Sequence, residues 1–161
     1  MKVIESTYEI LAWKYLNYGV NEKWSDWATE MMIAGFETDS LVKLAIIEKP
    51  YNQFELHQLV EEIVIELNLD YKNTTKVMTD YVTYLAKQAI DGKRDLTKTL
   101  RDLKDLHNEL DNQINVYDFY CLYFAKEDLN YDTVQWYWQG ATRENIDKIC
   151  LEQLKKWIEE H

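Results

Sequence analysis

The side chains able to do chemistry are few and scattered: three histidines and two cysteines in 161 residues. In RDLKDLHN, Arg101 to Asn108, a guanidinium that can hold phosphate charge is followed about one and two-thirds helical turns later by an imidazole that can move a proton near neutral pH. His57 and Glu61 stand one turn apart, a spacing that can present two metal ligands. The full HExxH pattern is absent and no second histidine-bearing helix completes a ligand set, so a solvated polar face is expected there, with no metal and no cofactor. Cys121 and Cys150 have no CxxC spacing and no thiolate-stabilising neighbours, and Cys150 falls on an apolar helical face, as an inert core thiol would. No GxGxxG, Walker loop or GxSxG occurs.

The Arg101 and His107 pair resembles the R-x(4–6)-H motif of the HEPN superfamily. That resemblance implies an all-α, metal-independent ribonuclease in which Arg101 stabilises phosphate charge and His107 moves the 2′-hydroxyl proton, across a dimer interface. Arg94, Lys98, Arg101 and Lys104 share the segment and form a cationic stripe. Two arguments oppose the reading. A motif this short arises easily by accident among three arginines and three histidines. His107 also lies about 120° around a helix from Arg101, among Leu100, Leu103 and Leu110, where a core-edge imidazole is the expectation.

The elements that must position these residues read as helices. One proline and four glycines leave little punctuation for a many-stranded fold, while 47% hydrophobic and 29% charged residues indicate a globular chain. Ser6 and Glu9 form a capping box for a helix over about 6–18 that Gly19 ends. NEKWSDWATEMMIAG carries Trp24, Trp27, Ala28, Met31 and Met32 on one face up to Gly35. Asp39 or Ser40 caps a short helix through LVKLAIIE, stopped by Pro50. A helix over about 52–68 is apolar at Leu56, Val60, Ile63 and Val64. Asn73 opens another that ends at DGK, residues 91–93, and Asp95 caps the helix holding Leu96, Leu100, Leu103 and Leu110. An aromatic helix follows over about 115–127. A final one starts at Thr142, with Glu144 in its first turn, and presents Ile146, Ile149, Cys150, Leu154 and Trp157.

Between the last two lies LNYDTVQWYWQG, in which Val134, Trp136 and Trp138 alternate with Gln135, Tyr137 and Gln139, the period of an extended chain. No second strand exists to pair with it. Its expected job is therefore to lie across the helices as a latch and bury two indoles, with an exposed ligand platform as the alternative. The expected fold class is all-α: a single domain over 1–161, with about seven or eight helices in an irregular orthogonal or bundle-like array and a short extended aromatic segment near 131–139.

The formal charge, 18 minus 29 or −11, repels phosphate backbones and anionic membranes and draws in basic surfaces, so nucleic acid is a disfavoured partner. Ordinary bacterial-type solubility explains the acidity equally well. No apolar stretch approaches the roughly 20 residues of a membrane helix. MKVIESTYEI, broken by Glu5 and Glu9, offers no signal-peptide core, which leads to the expectation of a reduced, cytoplasmic protein.

Two further stretches carry a resemblance at the level of fold. WATEMMIAGFETDSLVKLAIIEKPYNQFELHQLVEEIVIELNL, and DFYCLYFAKEDLNYD followed by a terminal helix, are similar to a group of small all-helical bacterial proteins. The matched positions are mainly core and cap residues. The resemblance implies an immunity-like role for some members, neutralising a toxin, and brings no catalytic residue with it. The function expected is thus a non-enzymatic protein-interaction module that binds a basic protein partner through Tyr131, Trp136, Tyr137 and Trp138, with Asp128 and Asp132 beside them. The HEPN-like ribonuclease is the alternative, and a homo-oligomeric scaffold, such as a homodimer closed by the aromatic surface, is a second one.

Overall fold

The computed structural model describes residues 2–110 and 114–161. Among these, eight helices and no strand occur: α1 (Thr7–Tyr15), α2 (Glu22–Ile33), α3 (Asp39–Ala45), α4 (Gln53–Glu66), α5 (Thr74–Ile90), α6 (Leu96–Glu109), α7 (Tyr117–Tyr131) and α8 (Ile146–Glu160). The all-α expectation holds. The chain divides into two compact units, Met1–Tyr81 and Val82–His161, with the division falling within α5. No helix among the described residues is long and apolar enough to cross a membrane.

In the first unit, α1 packs on α2, α2 on α3 and α3 on α4. The core gathers Ile10 of α1 and Leu41 and Leu44 of α3 with Trp24, Trp27 and Met31 of α2 and Val60 and Ile63 of α4, the last two groups lying on the expected apolar stripes. Both α2 indoles are fully inside, and they meet different fates. Trp27 donates its Nε1 proton to Thr7 Oγ1 at 3.0 Å, and the Thr7 hydroxyl in turn faces Met31 Sδ at 3.7 Å. Trp24 leaves its Nε1 without a hydrogen-bond acceptor and packs against the rings of Trp13 and His57, each with centroids 6.0 Å away.

Several helix ends differ from expectation for a local reason. The Ser6–Glu9 capping box does not form, because Ser6 is itself in the helical region, and the first amides of α1 are satisfied by a preceding turn, Thr7 N to Ile4 O and Tyr8 N to Glu5 O, both at 3.1 Å. Asn17, at φ 59°, supplies the left-handed residue after α1 in place of Gly19, and Asn68, at φ 50°, does the same after α4; asparagine tolerates this region better than other non-glycine residues. Thr38 rather than Asp39 or Ser40 caps α3, accepting from Leu41 N at 3.2 Å. Ser40 instead donates toward Glu66 (2.7 Å) and Glu62 (3.1 Å). That helix stops at Ala45, before Pro50 could act on it. The caps at Asn73 and Asp95 form as expected, accepting from Lys76 N and Lys98 N, and Asn52 caps α4 by accepting from Glu55 N.

The second unit packs α6 on α7 and α7 on α8. Leu100, Leu103 and Leu106 of α6, Phe119, Leu122 and Ala125 of α7, and Cys150, Leu154 and Trp157 of α8 are buried. Burial pushes the Cys150 thiol up to about 12, so it stays protonated and unreactive. Trp157 meets Phe119 edge-on and donates to Thr83 Oγ1 at 3.1 Å. Helix α7 runs four residues further than its aromatic pattern indicated, burying Leu129 in its last turns.

Candidate interaction surface

The segment between α7 and α8, residues 132–145, is a compact irregular loop and not an extended latch. Its organiser is Gln135. The Oε1 atom accepts from the backbone amides of Tyr137 (2.9 Å) and Trp138 (2.8 Å), while Nε2 donates to the carbonyls of Trp138 and Ala141. These four bonds use the full capacity of one side-chain amide and close the loop on itself. Asn145 holds the far end in the same manner, accepting from Thr142 N and donating to Gly140 O at 3.0 Å. This turn explains why α8 begins at Ile146, leaving Thr142 and Glu144 outside it. Arg143 Nε donates to Leu129 O at 2.8 Å, and Lys126 pairs with Asp147, so α7 and α8 are tied together beneath the loop. Gly140, at φ 85°, takes the left-handed turn that an L side chain would strain.

This scaffold turns Trp136 outward. The alternation of Val134, Trp136 and Trp138 predicted a shared buried face, and the geometry overturns it: Trp136 is 91% exposed, Val134 48% and Tyr137 45%. Trp138 alone of the three is half-buried. The cause is the set of bonds to Gln135, which curls the backbone and abolishes the two-residue period. Tyr131, at the end of α7, is 83% exposed, and Asp132 beside it is exposed as well, with its Oδ1 accepting from Thr133 N at 2.6 Å. Asp128 is half-buried one turn earlier, and its carbonyl receives Asp132 N at 2.9 Å.

An aromatic seam runs from this loop along α7. Tyr137 stacks on Phe124 (centroids 5.4 Å), Phe124 meets Tyr120 (4.9 Å) and Tyr123 (5.2 Å) edge-on, and Tyr120 stacks on Tyr117 (5.8 Å). Lys104 and Arg101 of α6 lie over the Tyr123 ring at 4.8 and 6.0 Å. Contact with the Tyr123 hydroxyl holds the Arg101 guanidinium firmly charged.

Arg101 and His107 do not converge. Arg101 reaches Tyr123, whereas the half-buried His107 ring packs on Tyr120 (4.9 Å) and Tyr117 (5.3 Å). In the first unit, Glu61 forms an ion pair with Lys14 at 2.5 Å, and His57 lies against Trp24. Among the described residues, no group of three or more His, Cys, Asp or Glu side chains gathers as a metal would require. The residues that sequence reasoning missed here are Gln135, Asn145 and Arg143, polar side chains whose partners are backbone atoms. Only the placement of Gln135 among aromatic residues hinted at them. Comparison of the chain with protein-family models, curated proteins and solved structures finds no match, so a functional reading rests on this geometry.

Proposed function

We propose that this chain is a non-enzymatic protein-interaction module that docks a basic protein partner on the loop over residues 131–138. The observation that carries the reading is Trp136: an indole 91% exposed at the tip of a loop whose backbone is bracketed by Gln135. A loop whose backbone is already fixed loses little main-chain freedom on binding, and aromatic anchors of this kind dominate interface energies. Tyr131 and Tyr137 extend the apolar contact, Trp138 is its half-buried footing, and Asp132 and Asp128 supply acidic neighbours. The net charge of −11 adds attraction for a basic surface and mainly raises the association rate. An immunity-like form, covering a basic toxin, is the version that the resemblance to small bacterial helical proteins implies.

Affinity capture from the native host with the wild-type chain and with Trp136→Ala in parallel tests this. The expected result is a basic protein retained by the wild type, released by added salt, and weakened by about thirtyfold or more in the variant, as for loss of ~2 kcal/mol at a hot spot. Retention of a non-basic protein, of RNA or of a second copy alone, or retention indifferent to Trp136→Ala, overturns it.

A further inference from the structure

Away from the aromatic loop, the first unit contains a partly open cavity of about 200 Å³ between α1 and the start of α5. Its apolar walls come from Val3, Leu11, Leu69 and Val77. Thr7 also borders it, but its hydroxyl is already committed to Trp27 and Met31. The polar rim consists of Tyr8, Asp70, Lys76 and Asp80. Lys76 is taken by Asp80 at 2.5 Å, one turn further along α5. Two carboxylates against one ammonium leave the rim with a surplus of one negative charge: Asp80 is in contact with Lys76, and Asp70 acts on it from a distance. The volume lies below the ~300–1,000 Å³ of sites for drug-sized ligands, which limits an occupant to a small molecule.

We infer that this cavity binds a small organic monocation, an alkyl- or arylalkyl-ammonium, with its hydrocarbon body between Leu11, Leu69 and Val77 and its ammonium at Asp70. An anion would meet the surplus carboxylate, and a neutral compound would gain nothing from that charge. A bare metal ion would gain nothing from the apolar walls. Tyr8 lines the same cavity, and its hydroxyl is a group able to accept one of the ammonium protons.

The experiment is an amide NMR titration of the full chain with phenethylammonium, 2-phenylethanol and 3-phenylpropanoate, a series of similar bodies that differ in charge. The expected result is saturable shifts at the amides of Tyr8, Lys76 and Val77 with the ammonium, binding weaker by about fivefold for the alcohol, the upper range for a partly exposed ion pair, and weaker still for the carboxylate. Asp70→Asn, at an exposed position, should erase the preference for the ammonium while leaving the helical circular dichroism unchanged. No saturation by the ammonium, equal binding of the alcohol, or an unchanged preference in Asp70→Asn overturns the inference. If that variant failed to fold, the charge series on the wild-type chain decides by itself. None of these readouts involves the loop at Trp136, so the two proposals stand or fall separately.

Discussion

Two tryptophan pairs in this chain meet opposite fates. Trp24 and Trp27, three residues apart in α2, are both buried in the first unit, whereas Trp136 and Trp138, two apart in the α7–α8 loop, are split into one exposed and one half-buried ring. On a helix, neighbours at i and i+3 share a face, so one apolar stripe buries both indoles. The other pair shares a face only if the backbone is extended, and Gln135 curls it instead. Residue type alone says nothing about burial. The backbone period around it decides, and in a loop that period is set by side-chain hydrogen bonds to the main chain.

Substitutions can break or sharpen this contrast. The largest effect is expected at Trp24→Ala, which opens a cavity in the first unit's core and should lower stability by about 3–5 kcal/mol in denaturant unfolding. A loss under 1 kcal/mol would break the contrast from the buried side. Next comes Gln135→Ala. Removing its four bonds should reduce stability by about 1–2 kcal/mol and loosen the loop, seen as faster exchange of the Tyr137 and Trp138 amides, with partner capture weakened although the anchor remains. Trp136→Ala should move stability by less than ~0.5 kcal/mol while removing the most quencher-accessible component of the tryptophan fluorescence. A marked destabilisation there would return Trp136 to the role of a core latch.

The smallest effect concerns Glu66. Hydrogen bonds from Ser40 and Thr38 hold its carboxyl below the ordinary 4.5, so the folded state favours the charged form. The stability this adds is present above the unfolded value and is lost as pH falls through the lower folded one. Because the group is almost fully exposed, the effect is slight. Ser40→Ala should flatten the acid limb of the first unit's stability profile, and an unchanged limb would show that the hydrogen bonds carry no linkage.

Much of the helical frame was legible because its signals are local. Asn73 and Asp95 sit three residues ahead of the amides they cap, and Leu100 with Leu103, like Leu154 with Trp157, repeats at helical spacing. The misread ends at Ser6, Gly19, Ser40 and Thr142 are places where a second local device competed and won: the turn from Ile4 and Glu5, the left-handed Asn17, the Thr38 cap and the Asn145 bracket. The candidate surface was half legible. Tyr131, Trp136 and Tyr137 are outward as an interaction surface requires, but the alternation that drew attention to them predicted the opposite burial for Trp136. The spacing of Arg101 and His107 conveyed that they diverge, but not that Arg101 would lean on Tyr123 and His107 on Tyr117 and Tyr120 of α7.

The bracket around the loop has a practical corollary. Gln135 and Asn145 grip carbonyls and amides, and Arg143 grips the Leu129 carbonyl, so the bonds that shape the tip make no demand on which side chains occupy positions 136, 137 and 139. The motif is therefore suited to combinatorial display: a library randomised at 136 and 139, with the two amide clamps and the Tyr137 stack on Phe124 retained, would present new paratopes on the same frame.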